Sequence, residues 1–230
     1  MPSPDRPLLE VIVLDAADAR AAAMGGADRL EVVRDMAAEG LTPEVETVAR
    51  IRDAVDLPLR VMLRDEAAFQ IAPPALDALC ATACELQDAG ADAFVFGFLT
   101  DAGDLDMGAL GRVAGVCARP WTLHRAFDHT ARPREAYRQA GHLPGIDRIL
   151  TSGGRAGLRT TVLAARAAWQ TPGGPVLVAG GGLHPEHVGP LRRAGLAEFH
   201  VGSGARPRRS FEAPVDRSLV ARFAELVHGS

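Results

Sequence analysis

Three observations predict an α/β fold closed into a single-domain (β/α)8 barrel of the TIM type. Strand-like and helix-like segments alternate about eight times along the 230 residues, with nothing left over to form a second unit. GADRLEV (26–32), GADAFVF (90–96), GIDRILT (145–151) and GLAEFHV (195–201) form a weak internal repeat that precedes every second strand. Ionisable residues collect where strands end, above all in TLHRAFDHT (122–130). The competing architecture, an open doubly wound sheet, reverses its connections midway, so a unit recurring four times fits it less well than a ring.

Taken in order, the predicted strands are LLEVIV (8–13), RLEVV (29–33), LRVML (59–63), AFVFG (93–97), WTLH (121–124), DRILT (147–151), VLVAG (176–180) and EFHVG (198–202). Each is a short apolar run bounded by turn residues. Ala-, Leu- and Arg-rich helical stretches are expected to begin near Asp15, Pro43, Pro73, Asp106, Pro133, Ala156, Pro185 and Val215. Several open with proline, which the first helical turn tolerates. The glycine heading each repeat is the left-handed residue that closes a helix before a strand.

Composition removes several function classes. The chain is 47% hydrophobic with a formal charge of -4 and 5% aromatic residues, so neither a basic face for a phosphate backbone nor a set of stacking platforms is expected, and no nucleic-acid partner. No stretch approaches the roughly 20 apolar residues of a membrane span, and MPSPDRP lacks a signal-peptide pattern; a cytoplasmic protein with no membrane partner is expected. All 25 basic residues are arginine. Without a lysine amine, Schiff-base and pyridoxal-phosphate mechanisms are closed.

The candidate site follows from strand alternation and strand ends. Glu10 and Glu31 sit inside apolar strands, and a buried carboxylate is costly unless paired, so Arg60, Arg64, His124 and Arg125 are the expected partners. Glu10, Glu31, Arg64, His124, Arg125 and Asp128 are the candidate catalytic residues, with His124 the expected proton carrier because its ordinary pKa is closest to neutral. A structural ion pair with a helix cap is the alternative for the HRAFD cluster. The glycine-rich ends of strands six to eight, with Thr151, Ser152, Gly153, Gly154, Gly181, Gly182, His200 and Ser203, are the candidate ligand-binding residues, suited to a small anionic ligand. His184 and His187 read as ordinary loop residues, and Cys80 and Cys84 as buried core thiols.

GGADRLEV and EGLTP (25–32, 39–43), VMLR (61–64), FGFLT (96–100), HRAFD (124–128), ILTSGG (149–154), AGGG (179–182) and EFHVGS (198–203) together resemble the ordered motifs of the CutC family of copper homeostasis proteins. The resemblance implies a TIM-type barrel, a cytoplasmic homo-oligomer and a role in copper homeostasis, with copper(I) as the implied metal. Two features depart from the family pattern. Val33 stands where members often carry cysteine, and RDEAAF (64–69) replaces an RGG-type loop. Met36 and Met62 are then the soft groups near strand ends, and the metal ligands are unassigned. Two further readings stay open: acid/base catalysis on a small anionic or phosphorylated metabolite, and a barrel kept as a binding module.

Overall fold

The structure, a computed structural model, describes residues 6–229; most of the N-terminal MPSPDRP stretch therefore lies outside it. Eight parallel strands close in sequence order into one ring. They are β1 (Leu8–Val13), β2 (Arg29–Val32), β3 (Leu59–Met62), β4 (Ala93–Phe96), β5 (Trp121–Leu123), β6 (Ile146–Thr151), β7 (Val176–Ala179) and β8 (Glu198–Val201). The helices are α1 (Ala16–Met24), α2 (Val45–Ala54), α3 (Pro73–Asp88), α4 (Met107–Cys117), α5 (Ala126–His129), α6 (Pro133–Ala140), α7 (Thr160–Ala167), α8 (Pro185–Arg193) and α9 (Arg217–His228).

Local chemistry sets these boundaries. Asp15, Asp106 and Asp216 each accept amide N–H bonds at a helix start, where the first turn leaves donors unsatisfied. Gly26, Gly90, Gly145 and Gly195, the glycines of the repeat, all have positive φ (92°, 110°, 75° and 94°), a conformation costly for residues with a Cβ. Alternation then sorts side chains. Leu9, Val11, Leu30, Val61, Phe94, Phe96 and Phe199 are buried in the main core, which continues into the helices. Ile12, Val33, Met62 and Val95 form a separate small apolar cluster. Trp121 stacks on Phe96 with centroids 4.2 Å apart and donates its indole N–H to the Pro144 carbonyl.

Inside the ring the strands carry charge. Arg29 Nε donates to Glu10 (2.5 Å) and its Nη2 to Glu198 (2.9 Å). Arg148 grips Glu198 through two nitrogens (2.6 and 2.7 Å), and Arg60 grips Asp147 in the same way (2.9 and 2.5 Å). Burial opposes the Glu10 charge, but Arg29 and His200 hold its carboxyl well below the usual range. Glu10 therefore pairs with Arg29 and His200, not with the arginines of the strand ends. Each of these carboxylates has a bonded partner, as buried charges require.

Two boundaries and one expected burial differ from the structure. The helix expected near Ala156 begins at Thr160, because residues between Ser152 and Leu158 turn twice through positive-φ glycines, Gly153 and Gly157. HRAFDHT is not a simple strand end: α5 makes one helical turn immediately after the strand and swings Asp128 away from the mouth. On α3, Cys80 is buried but Cys84 is exposed, since the buried stripe runs through Leu76, Leu79, Cys80 and Ala83 and leaves position 84 outside it.

Candidate functional site

A cavity of about 190 Å³ opens at the carboxyl ends of the strands. Glu31, Arg64, His124, Arg125, Gly181, Gly182, His200 and Ser203 line it, together with Met36, Met62, Phe69, Arg209 and Phe211. Glu10, Asp128, Thr151, Ser152, Gly153 and Gly154 do not. Far-apart segments thus converge on one mouth, while two acids, Glu10 and Asp128, and one glycine loop of the expected set serve other places.

Each lining group is held by a sequence feature. Arg64 has its amide bonded to Thr42 Oγ1 (2.8 Å), whose hydroxyl donates back to the Arg64 carbonyl (2.9 Å), so the EGLTP loop fixes the end of β3. The Arg64 guanidinium sits 4.9 Å above the Phe69 ring and donates to the Ala67 carbonyl. Burial lowers its pKa, and no carboxylate lies within 4.0 Å of it among the described residues. Gly97 makes room for His124: a Cβ there would lie 2.6 Å from His124 Nδ1. Gly181 does the same for Arg125, whose Nε would be 3.0 Å from such an atom.

Burial and charge work against the proton-carrying role expected of His124. His124 Nδ1 accepts the Ala126 amide (3.2 Å), which places the ring proton on Nε2. Burial, reinforced by the Arg64 charge, pushes its pKa down to about 3. His124 is a neutral N–H donor across the physiological range. Glu31 responds in the opposite sense. Burial, with the Glu10 charge adding to it, pushes Glu31 up to about 7 against the pull of His200. His200 lies between the two acids, Nδ1 to Glu10 at 2.8 Å and Nε2 to Glu31 at 3.6 Å. Burial alone would lower the His200 pKa, but Glu31 and Glu10 raise it above its ordinary value.

Asp128 is a buried tie. It accepts from Thr151 Oγ1 (2.6 Å), the Ser152 amide and hydroxyl (2.7 Å each) and Arg166 Nη1 (3.0 Å), and Arg125 Nε lies 3.6 Å away. HRAFD and TSGG are therefore bonded to one another, and Asp128 orients Arg125 from behind. Gly153 packs on Arg159 and Val162, which takes it out of the mouth.

Two loop residues that the sequence pattern did not single out for the site, Glu39 and Arg209, also contribute to the lining. Arg209 lies in the cavity wall with φ 56°, and Arg208 beside it has φ 52°. Asp35 and Glu39, at φ 50° and 61°, flank Met36 on the loop after β2. Four of the five non-glycine residues with positive φ therefore fall in two mouth loops, the kind of place where backbone strain accompanies function. The buried Arg206 bonds to Asp18 of α1 and sits over Phe211 (5.1 Å), which fixes that ring at the cavity. Clustered basic residues in GARPRRS were the available signal for Arg209. His184 and His187 bond to one another's cap positions at the start of α8, a local role.

Six buried side-chain polar atoms lack a hydrogen-bond partner among the described residues: Glu31 Oε1, Arg60 Nε, Arg64 Nε, His124 Nε2, Arg125 Nε and Arg206 Nε. Four of them belong to cavity residues, one acceptor and three donors. Buried polar groups are ordinarily satisfied, so such a concentration makes this mouth the place in the fold suited to a polar ligand.

Copper(I) favours thiolate and thioether donors. Cys80, Cys84 and Cys117 lie on α3 and α4, outside the cavity, and burial with the neighbouring Cys80 and Cys84 pushes the Cys117 thiol up to about 12. Among the described residues no group of three or more His, Cys, Asp or Glu side chains is placed to hold a metal ion. Met36 and Met62 are the cavity's soft donors, and that set does not fit a thiolate copper centre.

Fold and mouth together define a (β/α)8-barrel protein with a cavity at the carboxyl ends of its strands in which arginines and two histidines are set among apolar side chains. Residues 7–205 match the CutC family model, and the chain belongs to the CutC family. A family protein CutC from Xylella fastidiosa (strain Temecula1 / ATCC 700964) is 33% identical over 85% of this chain and 74% of the relative. The human copper homeostasis protein cutC homolog is 32% identical over 95% of this chain and 81% of its own. A solved CutC structure from Streptococcus agalactiae aligns with TM-score 0.78 at 20% identity, covering 85% of this chain and 98% of that one; this likeness concerns the fold. No described helix is long and apolar enough to cross a membrane.

Proposed function

We propose that this CutC-family protein binds a small anionic metabolite at the mouth of the barrel and acts on it by acid/base chemistry, with Glu31 as the titrating group. The carrying observation is the convergence of an unpartnered carboxylate oxygen, on Glu31, and two unpartnered N–H groups, on Arg64 and His124, at one cavity. Arg64, Arg125 and Arg209 supply positive charge, the glycines at 181 and 182 let a ligand approach the backbone, and His124 donates without changing charge. Asp128 and Ser152 position Arg125 and the loop after β6. A cytoplasmic homo-oligomer accords with three unbridged cysteines and the family resemblance.

Thermal unfolding with graded phosphate, sulfate and malonate tests this. Saturable stabilisation is expected for the parent, and its loss in Arg64→Gln/Arg125→Gln. Equal melting temperatures with and without these anions in both proteins would remove the reading.

A copper role, carried by the relatives' name, has one supporting observation: both cavity thioethers, Met36 and Met62, reach the same space. Titration with Cu(I) under reducing conditions separates the routes. Binding abolished by Met36→Leu/Met62→Leu supports the mouth, binding abolished only when the three cysteines are replaced moves copper to the outer helices, and no binding removes a direct copper role.

A further inference from the structure

We propose that the metabolite is a short-chain carbonyl compound with a carboxylate or phosphate handle, and that the protein moves a proton at the carbon beside its carbonyl, with Glu31 as base and His124 Nε2–H holding the carbonyl oxygen. This rests on the anion-binding reading above and goes beyond it by naming the reaction.

The cavity's unpartnered atoms divide by role. Among the described residues Glu31 Oε1 is its buried unpartnered acceptor, His124 Nε2 and Arg64 Nε are buried unpartnered donors, and Arg125, which lines the mouth, has its Nε facing Asp128 at 3.6 Å. A neutral imidazole donor is suited to an oxygen that gains charge during the reaction, because it stabilises that charge without first pairing with an anion. Two guanidiniums set on different strand ends, after β3 and after β5, can serve two anionic points, the developing oxyanion and a permanent handle. Arg125 and Arg209, beside the glycine loops, fall to the handle; Arg64 falls to the oxyanion.

Covalent routes lack their reagents at this mouth. The chain has no lysine, its thiols sit on α3 and α4, and the Ser152 hydroxyl is committed to Asp128 at 2.7 Å. Ser203 lines the cavity with no base bonded to its hydroxyl among the described residues. Proton transfer at carbon needs one base and one oxyanion stabiliser, and both are present. The volume suits a small substrate: cavities of about 150 Å³ hold benzene, so about 190 Å³ takes a ligand of roughly six to ten heavy atoms.

In the step, the C–H bond breaks toward Glu31, whose carboxylate gains the proton. The C–H electron pair becomes the C=C bond of an enolate, and the carbonyl π pair moves onto oxygen, which accepts from His124 Nε2–H and Arg64. Reversal returns hydrogen from Glu31 to carbon, and in D2O that hydrogen is deuterium.

The test incubates the full chain in D2O with dihydroxyacetone phosphate and, separately, with 2-oxobutyrate, and follows the proton signal beside the carbonyl by NMR. Protein-dependent deuterium uptake is expected in at least one, identifying the handle as phosphate or carboxylate. Glu31→Gln is expected to lower the rate about 100-fold or more with binding and far-UV circular dichroism retained, and His124→Gln to lower it with binding retained. Saturable binding of both probes without protein-dependent exchange would overturn this inference and leave the anion reading standing; binding of neither would overturn both. Exchange unaffected by Glu31→Gln would overturn the assignment of the base.

Discussion

Replacing Glu31 by glutamine tests the electrostatics of the mouth directly. Glu31 is 2% exposed, one carboxylate oxygen lacks a partner, and burial raises its pKa from 4.5 to about 7. An acid with a raised folded pKa binds its proton more tightly in the native state. Between pH 4.5 and about 7 the native carboxyl keeps a proton that the unfolded chain has lost, so this group's contribution to stability falls as pH rises, by about 1.4 kcal/mol per unit. The loss above pH 7 is on the order of 3 kcal/mol. Glutamine carries no such proton. His200 works in the same direction: its raised pKa is stabilising below 6.5 and that stabilisation fades as pH rises through the folded value, and the part of it that depends on Glu31 is lost by the parent and absent from the variant. A net gain of about 2–3 kcal/mol for Glu31→Gln at pH 8 relative to pH 5 is therefore expected. Urea unfolding at pH 5, 6, 7 and 8 reads the difference from the midpoints at constant slope. A variant that is less stable at pH 8 than at pH 5, relative to the parent, would refute the reasoning and return Glu31 to the status of a satisfied, paired carboxylate.

Further expectations concern the supports of the cavity. Asp128→Ala leaves the buried Arg166 without its carboxylate and is expected to cost about 3–5 kcal/mol in chemical unfolding; a loss below 1 kcal/mol would contradict its role as the tie between α5, β6 and α7. Gly97→Ala places a methyl 2.6 Å from His124 Nδ1 and should cost about 1–3 kcal/mol while displacing the ring; unchanged stability together with an unchanged His124 NMR signal would speak against that contact. Gly181→Ala, at φ 76° and 2.8 Å from Ser152 Cβ, should weaken phosphate binding at least about tenfold in calorimetry, whereas parent-like affinity would take the loop out of the anion site. Glu10→Gln removes the acid bonded to Arg29 and His200; the His200 pKa followed by NMR should fall, and a constant value would show that Glu31 alone sets it.

Much of this protein was determined by the chain's own pattern. Apolar runs of four to six residues, prolines at helix starts and a left-handed glycine before alternate strands are local signals. They located all eight strands to within a residue or two and identified the ring before any contact was known. The same alternation put Glu10 and Glu31 inside, because a period of two leaves an odd polar residue no other face. Which partner each ionisable group takes was decided only by closure of the barrel. Glu10 meets His200 across 190 positions of sequence, and Arg29 meets Glu198 across 169. Asp128 was drawn away from the mouth by one turn of helix that four residues of HRAFDHT do not announce. His124 changed from proton carrier to neutral donor because burial and the Arg64 charge, both products of packing, outweigh the ordinary pKa of its side chain. Local propensity is written in neighbouring residues; desolvation and pairing exist only once distant ones have met.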